Sequence, residues 1–428
     1  MSKGAIIIEK TRNSSYDSVF QELYGSEFVE SQKKRYIAAI LSFGEAFGED
    51  RDLNIFSVPG RTELCGNHTD HNNGLVMAAS VNLDTIAVAA VNGSQTIRII
   101  SDGYESEIKA DLTILEPDTK EFGLSDGIVR GMAAGFKNQG GEIGGFDAYI
   151  TSDVLQGSGL SSSASFEVCI GVILNYLFNS GRFTPIEVGK MGQYAENVFF
   201  GKPSGLQDQL ACAVGGVITI DLADPRAPVV SNMDFDLKKY NLKMVITDTK
   251  GSHAGLTGEY TAIRSEMESV AKVFGKKVLN DVDPKMFFAR IADVRKGAGD
   301  RAVLRAIHFF GENKRVAEVA SAIREDRIKN VLELIIESGH SSFEYNQNAY
   351  PKGASNQELP IALALSQWLL AGRGAWRLQG GGFAGTIQAY VPEELVDTYC
   401  NLLDSVFGLN ASKVLTVRKA GCIRVDID

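Results

Sequence analysis

At 428 residues the chain is longer than one hydrophobic core usually supports, so two or three domains with a cleft between them are expected. Lys plus Arg number 43 against 53 Asp plus Glu, a net charge of −10 without any basic stripe, which argues against a nucleic-acid partner. Five scattered cysteines (Cys65, Cys169, Cys212, Cys400, Cys422) lack metal or disulfide spacing, and no apolar run is long enough for a leader or membrane span, so the reading is a reduced, cytoplasmic protein.

Helical spacing of Phe20, Leu23, Phe28, Tyr36, Ile40 and Phe43 predicts a helical lead-in over 14–48. Val- and Ile-rich stretches at 54–58, 76–81, 85–91 and 96–100 read as short strands, with Asn92-Gly93 as a hairpin turn between two of them. A helix over 126–137, a strand at 146–150, a buried helix over 164–178 and a helix at 187–198 follow. Beyond residue 225 the pattern gives a strand at 244–247, then amphipathic helices over 257–274, 299–324, 326–338 and 357–371. Strand, helix, strand closes the chain, with strands at 386–391 and 423–427. Two α+β domains meeting near 215–230 are the economical arrangement.

Three polar constellations stand out. Between residues 58 and 74, Arg61, Glu63, Asn67, His68, Asp70, His71, Asn72 and Asn73 crowd among glycines. Alone this is compatible with ordinary turn chemistry. Its density of donors and acceptors also suits the alternating hydroxyls of a sugar. The second, Leu155-Gln156-Gly157-Ser158-Gly159-Leu160-Ser161-Ser162-Ser163-Ala164-Ser165, runs from a strand into a helix. Glycines let the backbone approach a phosphate, the helix start offers unpaired amides, and the hydroxyls add donors or a metal ligand. It lacks the Gly-Lys-Ser/Thr of a Walker loop. The third, Gly380-Gly381-Gly382-Phe383-Ala384-Gly385, marks a close backbone approach.

In this order and spacing the three motifs resemble those of the GHMP small-molecule kinases, galactokinases in particular. Ala195-Glu196, Gly205 to Gln209, Gly258-Glu259-Tyr260 and Ile336 to Ser341 add to the likeness, which runs from about residue 54 onward. The resemblance implies an α+β, two-domain fold, 1–220 and 221–428, with the active site in the interdomain cleft. It implies transfer of the γ-phosphate of ATP to the anomeric hydroxyl of a hexose, with Mg2+ and a sugar as small-molecule partners, in a monomer. Residue by residue, Asp208 matches the catalytic carboxylate and Arg61 its basic partner. Ser162 and Glu196 match the metal ligands. Asn67, His68, Asp70, Gly205 and Tyr260 match sugar contacts, and Gly157, Ser158, Gly159, Leu160, Ser161, Ser162, Ser163 and Ala164 the triphosphate loop. His253, His308 and His340 receive no catalytic role.

Two departures matter. Galactokinases usually carry Glu at the position of Asn67, a contact to the sugar 6-hydroxyl, and Tyr at that of His71. Plant galacturonokinases also lack that Glu and read His-x-Asp-His over the stretch matching 68–71, so a 6-carboxylate sugar is the competing substrate. The Trp-bearing adenine segment of galactokinases has no counterpart near 123–131, since both tryptophans, Trp368 and Trp376, lie far downstream. Some galactokinase relatives are sugar and ATP sensors without turnover. In the known sensor the serine-alanine pair of the phosphate loop is missing, whereas Ser161 to Ser165 is complete here, as are Asp208 and Arg61.

Overall fold

A computed structural model of the chain describes residues 3–104, 106–154, 159–252 and 255–425. Its strands are β1 (Asn54–Cys65), β2 (Leu75–Val91), β3 (Thr96–Ser101), β4 (Ile108–Asp111), β5 (Phe146–Ser152), β6 (Val217–Asp221), β7 (Val229–Met233), β8 (Leu242–Asp248), β9 (Ala375–Leu378), β10 (Thr386–Pro392), β11 (Ser412–Leu415) and β12 (Ile423–Arg424). Its helices are α1 (Lys3–Arg12), α2 (Asp17–Tyr24), α3 (Val29–Phe47), α4 (Ser125–Asn138), α5 (Ser162–Asn179), α6 (Pro185–Tyr194), α7 (Gln207–Val214), α8 (Thr257–Val273), α9 (Pro284–Ala289), α10 (Ile291–Ala298), α11 (Asp300–Arg324), α12 (Ile328–Ser341), α13 (Glu358–Leu370) and α14 (Val396–Phe407). Among the described residues no helix is long and apolar enough to cross a membrane.

The expected α+β class holds, in two sheets. Eight strands form a branched sheet in the order β12-β1-β2-β5-β3-β4, with β6 joining the first half of β2 and β7 beyond it. Four antiparallel strands, β11-β8-β10-β9, form the second. Alternation along β2 explains how the larger sheet is covered: Ile86, Val88 and Ala90 pack with α2 and α3, while Ala87 and Ala89 face the core shared with α4, α5 and α6. The two sheets meet along β1. Arg377 on β9 and Gln388 on β10, both fully buried, donate to the Glu63 carbonyl at 2.9 and 3.1 Å.

Several elements differ from the sequence expectation, each for a physical reason. Residues 76–81 and 85–91 are one 17-residue strand, because Asp84, a turn-like residue, is buried and neutralised within it. Asn92-Gly93 does not turn a hairpin: β5 lies between β2 and β3, parallel to β3, and Asp147 on β5 draws in Asn92, Arg51 and Arg98. The helix expected at 187–198 is shorter and runs into a π-turn, Ala195–Phe199. The lead-in splits into α2 and α3, preceded by α1, and β4, β6, β7, β9, β11, α7, α9 and α10 were not foreseen. Of the strand expected at 423–427, the last two residues lie outside the described residues.

Asp84 fastens the lead-in helices to the sheet. Its carboxylate accepts from Tyr24 of α2 at 2.6 Å, Arg35 of α3 at 2.6 Å, Ser57 of β1, and Arg418 at 3.0 Å. Burial alone would raise its pKa, but the two guanidinium groups outweigh burial and hold it below the usual carboxylate value. The stabilisation is therefore present above the ordinary Asp pKa and is lost as pH falls through the lowered one. We expect Asp84→Asn, which leaves the fully buried Arg418 uncompensated and Arg35 with only the partly exposed Asp153, to cost about 3–5 kcal/mol in urea unfolding at neutral pH. A cost within the scatter of surface substitutions would refute this account.

Candidate active site

The long β1–β2 hairpin reaches its turn at Gly66–Gly74, so half of the first polar motif is strand and half is turn. A register shift between Pro59 and Arg61 marks a bulge, the device by which a strand re-aims a side chain. Arg61, buried, extends Nε and Nη2 to the two carboxylate oxygens of Asp208, both at 2.7 Å, in a bidentate pair. Its Nη1 donates to the Gly159 carbonyl, and the Ser161 hydroxyl donates to Asp208 Oδ2. Asp208, in the first turn of α7, keeps 36% of its side-chain surface exposed, so a substrate can reach it while Arg61 stays behind it. Burial pushes the Asp208 pKa up, but Arg61 and the Ser161 hydroxyl override it and leave it below the usual value.

The serine loop meets this pair at the start of α5. Ser161 has a left-handed backbone (φ 59°) and turns its hydroxyl to Asp208 rather than capping the helix, so among the described residues the first amides are open to an anion. Ser162 and Ser163 reach solvent, whereas Leu160 and Ala164 are buried among core residues and offer only their backbone to a ligand. Gly157 and Ser158 lie outside the described residues, as does His253.

Glu196 sits in the π-turn after α6, buried, a type of helix irregularity frequent at functional sites. Gln209, on α7 beside Asp208, donates to Glu196 at 2.9 Å and to Glu167 at 2.9 Å. Glu167 lies one turn beyond Ser163 on α5, which places Glu196 close to the serine loop. Burial and the neighbouring Glu196 push the Glu167 pKa well above the ordinary value. Glu167 Oε1 and Gln209 Oε1 are buried and, among the described residues, have no hydrogen-bond partner. An all-oxygen set of one carboxylate and a serine hydroxyl fits Mg2+, a hard cation that takes its remaining ligands from phosphates and water. Among the described residues no cluster of three or more His, Cys, Asp or Glu side chains would hold a metal unaided.

On the other side of Asp208, the turn from Gly66 to Asp70 is gripped from α11. Glu312, fully buried, accepts from the amides of Gly66 (2.9 Å) and Asn67 (3.2 Å), and His308 Nε2 lies 2.8 Å from the Asn67 carbonyl. His68 Nε2 contacts the Gly381 carbonyl at 3.0 Å, and burial lowers its pKa to about 3, so the ring is neutral. Tyr260 of α8 donates to the Gly382 carbonyl at 2.9 Å, and burial lifts its phenol to about 12. The triple glycine thus presents carbonyls to the sugar-type loop. Gly382 needs to be glycine, since its φ is 73° and a Cβ would lie 2.2 Å from the Asn348 carbonyl. Gly205 packs so tightly on Asp70 that a Cβ would fall 1.6 Å from the carboxylate.

Asn67 is placed differently from the expected contact to a sugar hydroxyl. Its two N–H groups go to Glu63 Oε1 (3.0 Å) and the Gly380 carbonyl (2.7 Å), and its oxygen accepts from Ser342 (3.3 Å) and Asn348 (3.0 Å). A side-chain amide has two donors and two acceptor positions, so none is left over. Sequence reading placed Glu63 in the same polar stretch but missed its partner, the fully buried Arg377 at 2.6 Å. It also missed Glu312 and His308, although their i, i+4 spacing puts them on one face of α11.

The model of the GHMP kinases N terminal domain matches residues 127–216, and that of the galactokinase galactose-binding signature matches 41–91. Lactococcus lactis galactokinase, solved with galactose, superposes with a TM-score of 0.78 at 26% identity over 90% of this chain and 98% of its own. Two more distant structures share the fold. Methanococcus jannaschii mevalonate kinase has a TM-score of 0.61 at 14% identity, covering 86% of this chain and 98% of its own. Streptococcus pneumoniae phosphomevalonate kinase, solved with phosphomevalonate and AMPPNP, has a TM-score of 0.59 at 12% identity, covering 86% and 99%. The chain thus carries a match to the GHMP kinase N-terminal domain and to the galactokinase galactose-binding signature, on a fold similar to that of Lactococcus lactis galactokinase.

Proposed function

We propose that the protein phosphorylates the anomeric hydroxyl of galactose with ATP, giving galactose 1-phosphate and ADP. The observation that carries this reading is the bidentate Arg61–Asp208 pair standing between an uncapped serine-loop helix and a loop of the galactokinase galactose-binding type. In this reading residues 1–220 carry the sugar signature and the phosphate loop, β7 and β12 return to complete their sheet, and the rest of 221–428 closes the cleft over them. The protein works in the cytoplasm as a monomer.

Asp208 orients the anomeric hydroxyl. Its lowered pKa makes it a poor base toward a free sugar hydroxyl, so it accepts the proton late, as the new O–P bond forms and the bond to the leaving ADP oxygen breaks. Arg61 keeps that carboxylate ionised and offsets charge on the moving phosphoryl group. The backbone of 157–164 cradles the triphosphate. Ser162 and Glu196 would hold Mg2+, which when bound neutralises phosphate charge. His68, Asp70, Gly205 and Tyr260 line the sugar. Asn67 shapes this pocket by holding the loop in place rather than by touching the sixth carbon.

Three outcomes test the reading. Asp208→Ala should lower kcat by roughly two to four orders of magnitude while leaving AMP-PNP affinity in calorimetry nearly intact. An unchanged rate would refute the assignment. Because Asn67 has no free hydrogen-bonding position, Asn67→Ala should lower Tm and raise the sugar KM without changing the ratio of kcat/KM for galactose over galacturonate. A reversed ratio would restore Asn67 as the discriminator. His68 stays neutral in the folded site, with its pKa moved from 6.5 to about 3, so between those values the unfolded chain binds a proton that the folded one does not. Stability therefore falls as pH drops below 6.5, by up to about 1.4 kcal/mol per pH unit for this ring. His68→Asn should flatten that slope in thermal melts across the acid range.

A further inference from the structure

Four acids around the site are balanced in two ways. Asp208, Glu63 and Glu312 are paired with arginines that are themselves buried or nearly so: Arg61, Arg377 and Arg315. Glu196 differs. Its Oε1 accepts from Lys202 Nζ at 2.7 Å, and Lys202 keeps 58% of its side-chain surface in solvent while Glu196 keeps 4%. Gln209 fixes the other carboxylate oxygen, and the Lys202 amide donates to the Glu196 carbonyl at 3.1 Å, which anchors the lysine backbone beside its partner. A buried carboxylate needs a counter-charge. An ammonium on a four-carbon stem can leave, whereas a forked guanidinium held at several points does so less readily.

We propose that Lys202 is the resident counter-ion of Glu196, its ammonium holding the place that Mg2+ takes when nucleotide binds, so that the two cations exchange at one carboxylate. This rests on Glu196 being a metal ligand. The buried carboxylate and its amide support stay fixed, and only the exposed lysine arm has to move. With Lys202 at rest on Glu196, an incoming triphosphate without metal meets a neutralised carboxylate rather than a bare one.

The test is calorimetric titration of AMP-PNP into the full chain, in Mg2+ and in EDTA, for wild type, Lys202→Met, Glu196→Gln and the double variant. Thermal melts in EDTA check that each is folded. Lys202→Met should weaken metal-free binding while sparing metal-supported binding, raising the ratio of the two affinities about fivefold, the upper range for an exposed ion pair. In the Glu196→Gln background the same substitution should leave the ratio unchanged. Equal losses with and without metal would make Lys202 a general phosphate contact and overturn the proposal, as would an undiminished effect in the Glu196→Gln background. If Glu196→Gln leaves metal-supported binding intact, the metal-ligand reading fails first and the proposal falls with it. The exchange alone fails if Glu196→Gln weakens that binding but Lys202→Met leaves the ratio where it was.

Discussion

A single guanidinium joins the parts of the site. Arg61 spends Nε and Nη2 on Asp208 and Nη1 on the carbonyl of Gly159, so the carboxylate and the serine loop are fastened to one planar group. Three consequences follow from that geometry. The Asp208 oxygens cannot rotate, because two parallel hydrogen bonds fix the plane of the carboxylate. Their charge persists despite burial. The serine loop, tied through both Gly159 and Ser161, sits at a set distance from the carboxylate. A lysine at 61 would supply charge but not this plane. The bulge after Pro59 and the packing of Gly60 beneath the Leu160 carbonyl serve to deliver that fork.

The residues that meet in the cleft were largely legible in the sequence, because their motifs are dense in groups that have little reason to cluster except around a polar ligand. Arg61 and the start of α5, from two of those motifs, do come together, around an Asp208 that only the family likeness singled out, and the triple glycine does mark a close approach, to Asn348 and Tyr260. The failures share one cause, pairing over long sequence separations. Asp84 reads as a strand breaker until Arg35 and Arg418, 49 and 334 residues away, neutralise it within β2. Asn92-Gly93 reads as a hairpin until a strand some fifty residues later takes the place between its arms. Glu63 reads as one more polar loop residue until Arg377, 314 positions on, pairs with it.

Asn67 shows the limit of carrying a role by position. The loop around it is where the family resemblance says it should be, and the substitution of Asn for Glu looked like a change facing the substrate. In the folded chain the amide instead knots three segments, the β1 strand through Glu63, the glycine turn through Gly380, and the 342–348 segment through Ser342 and Asn348. A neutral side chain with both donors and acceptors suits that knot, since a carboxylate there would set like charges against Glu63 and a carbonyl oxygen. The knot thereby fixes the loop that carries His68 and Asp70 against the glycine turn.

The eight-stranded sheet carries one more implication, for the order of events during synthesis. β1, among the earliest strands to emerge from the ribosome, is flanked by β2 and by β12, and its Ser57 shares the Asp84 knot with Arg418, 361 residues later. Until that distant segment has been translated, one edge of β1 stays open and Asp84 lacks one of its two cations. Such an edge invites pairing with other nascent chains. Final consolidation of the half that bears Arg61 and the serine loop is therefore a late event, so an enzyme truncated shortly before residue 418 would lose its earliest-made core rather than only its tail.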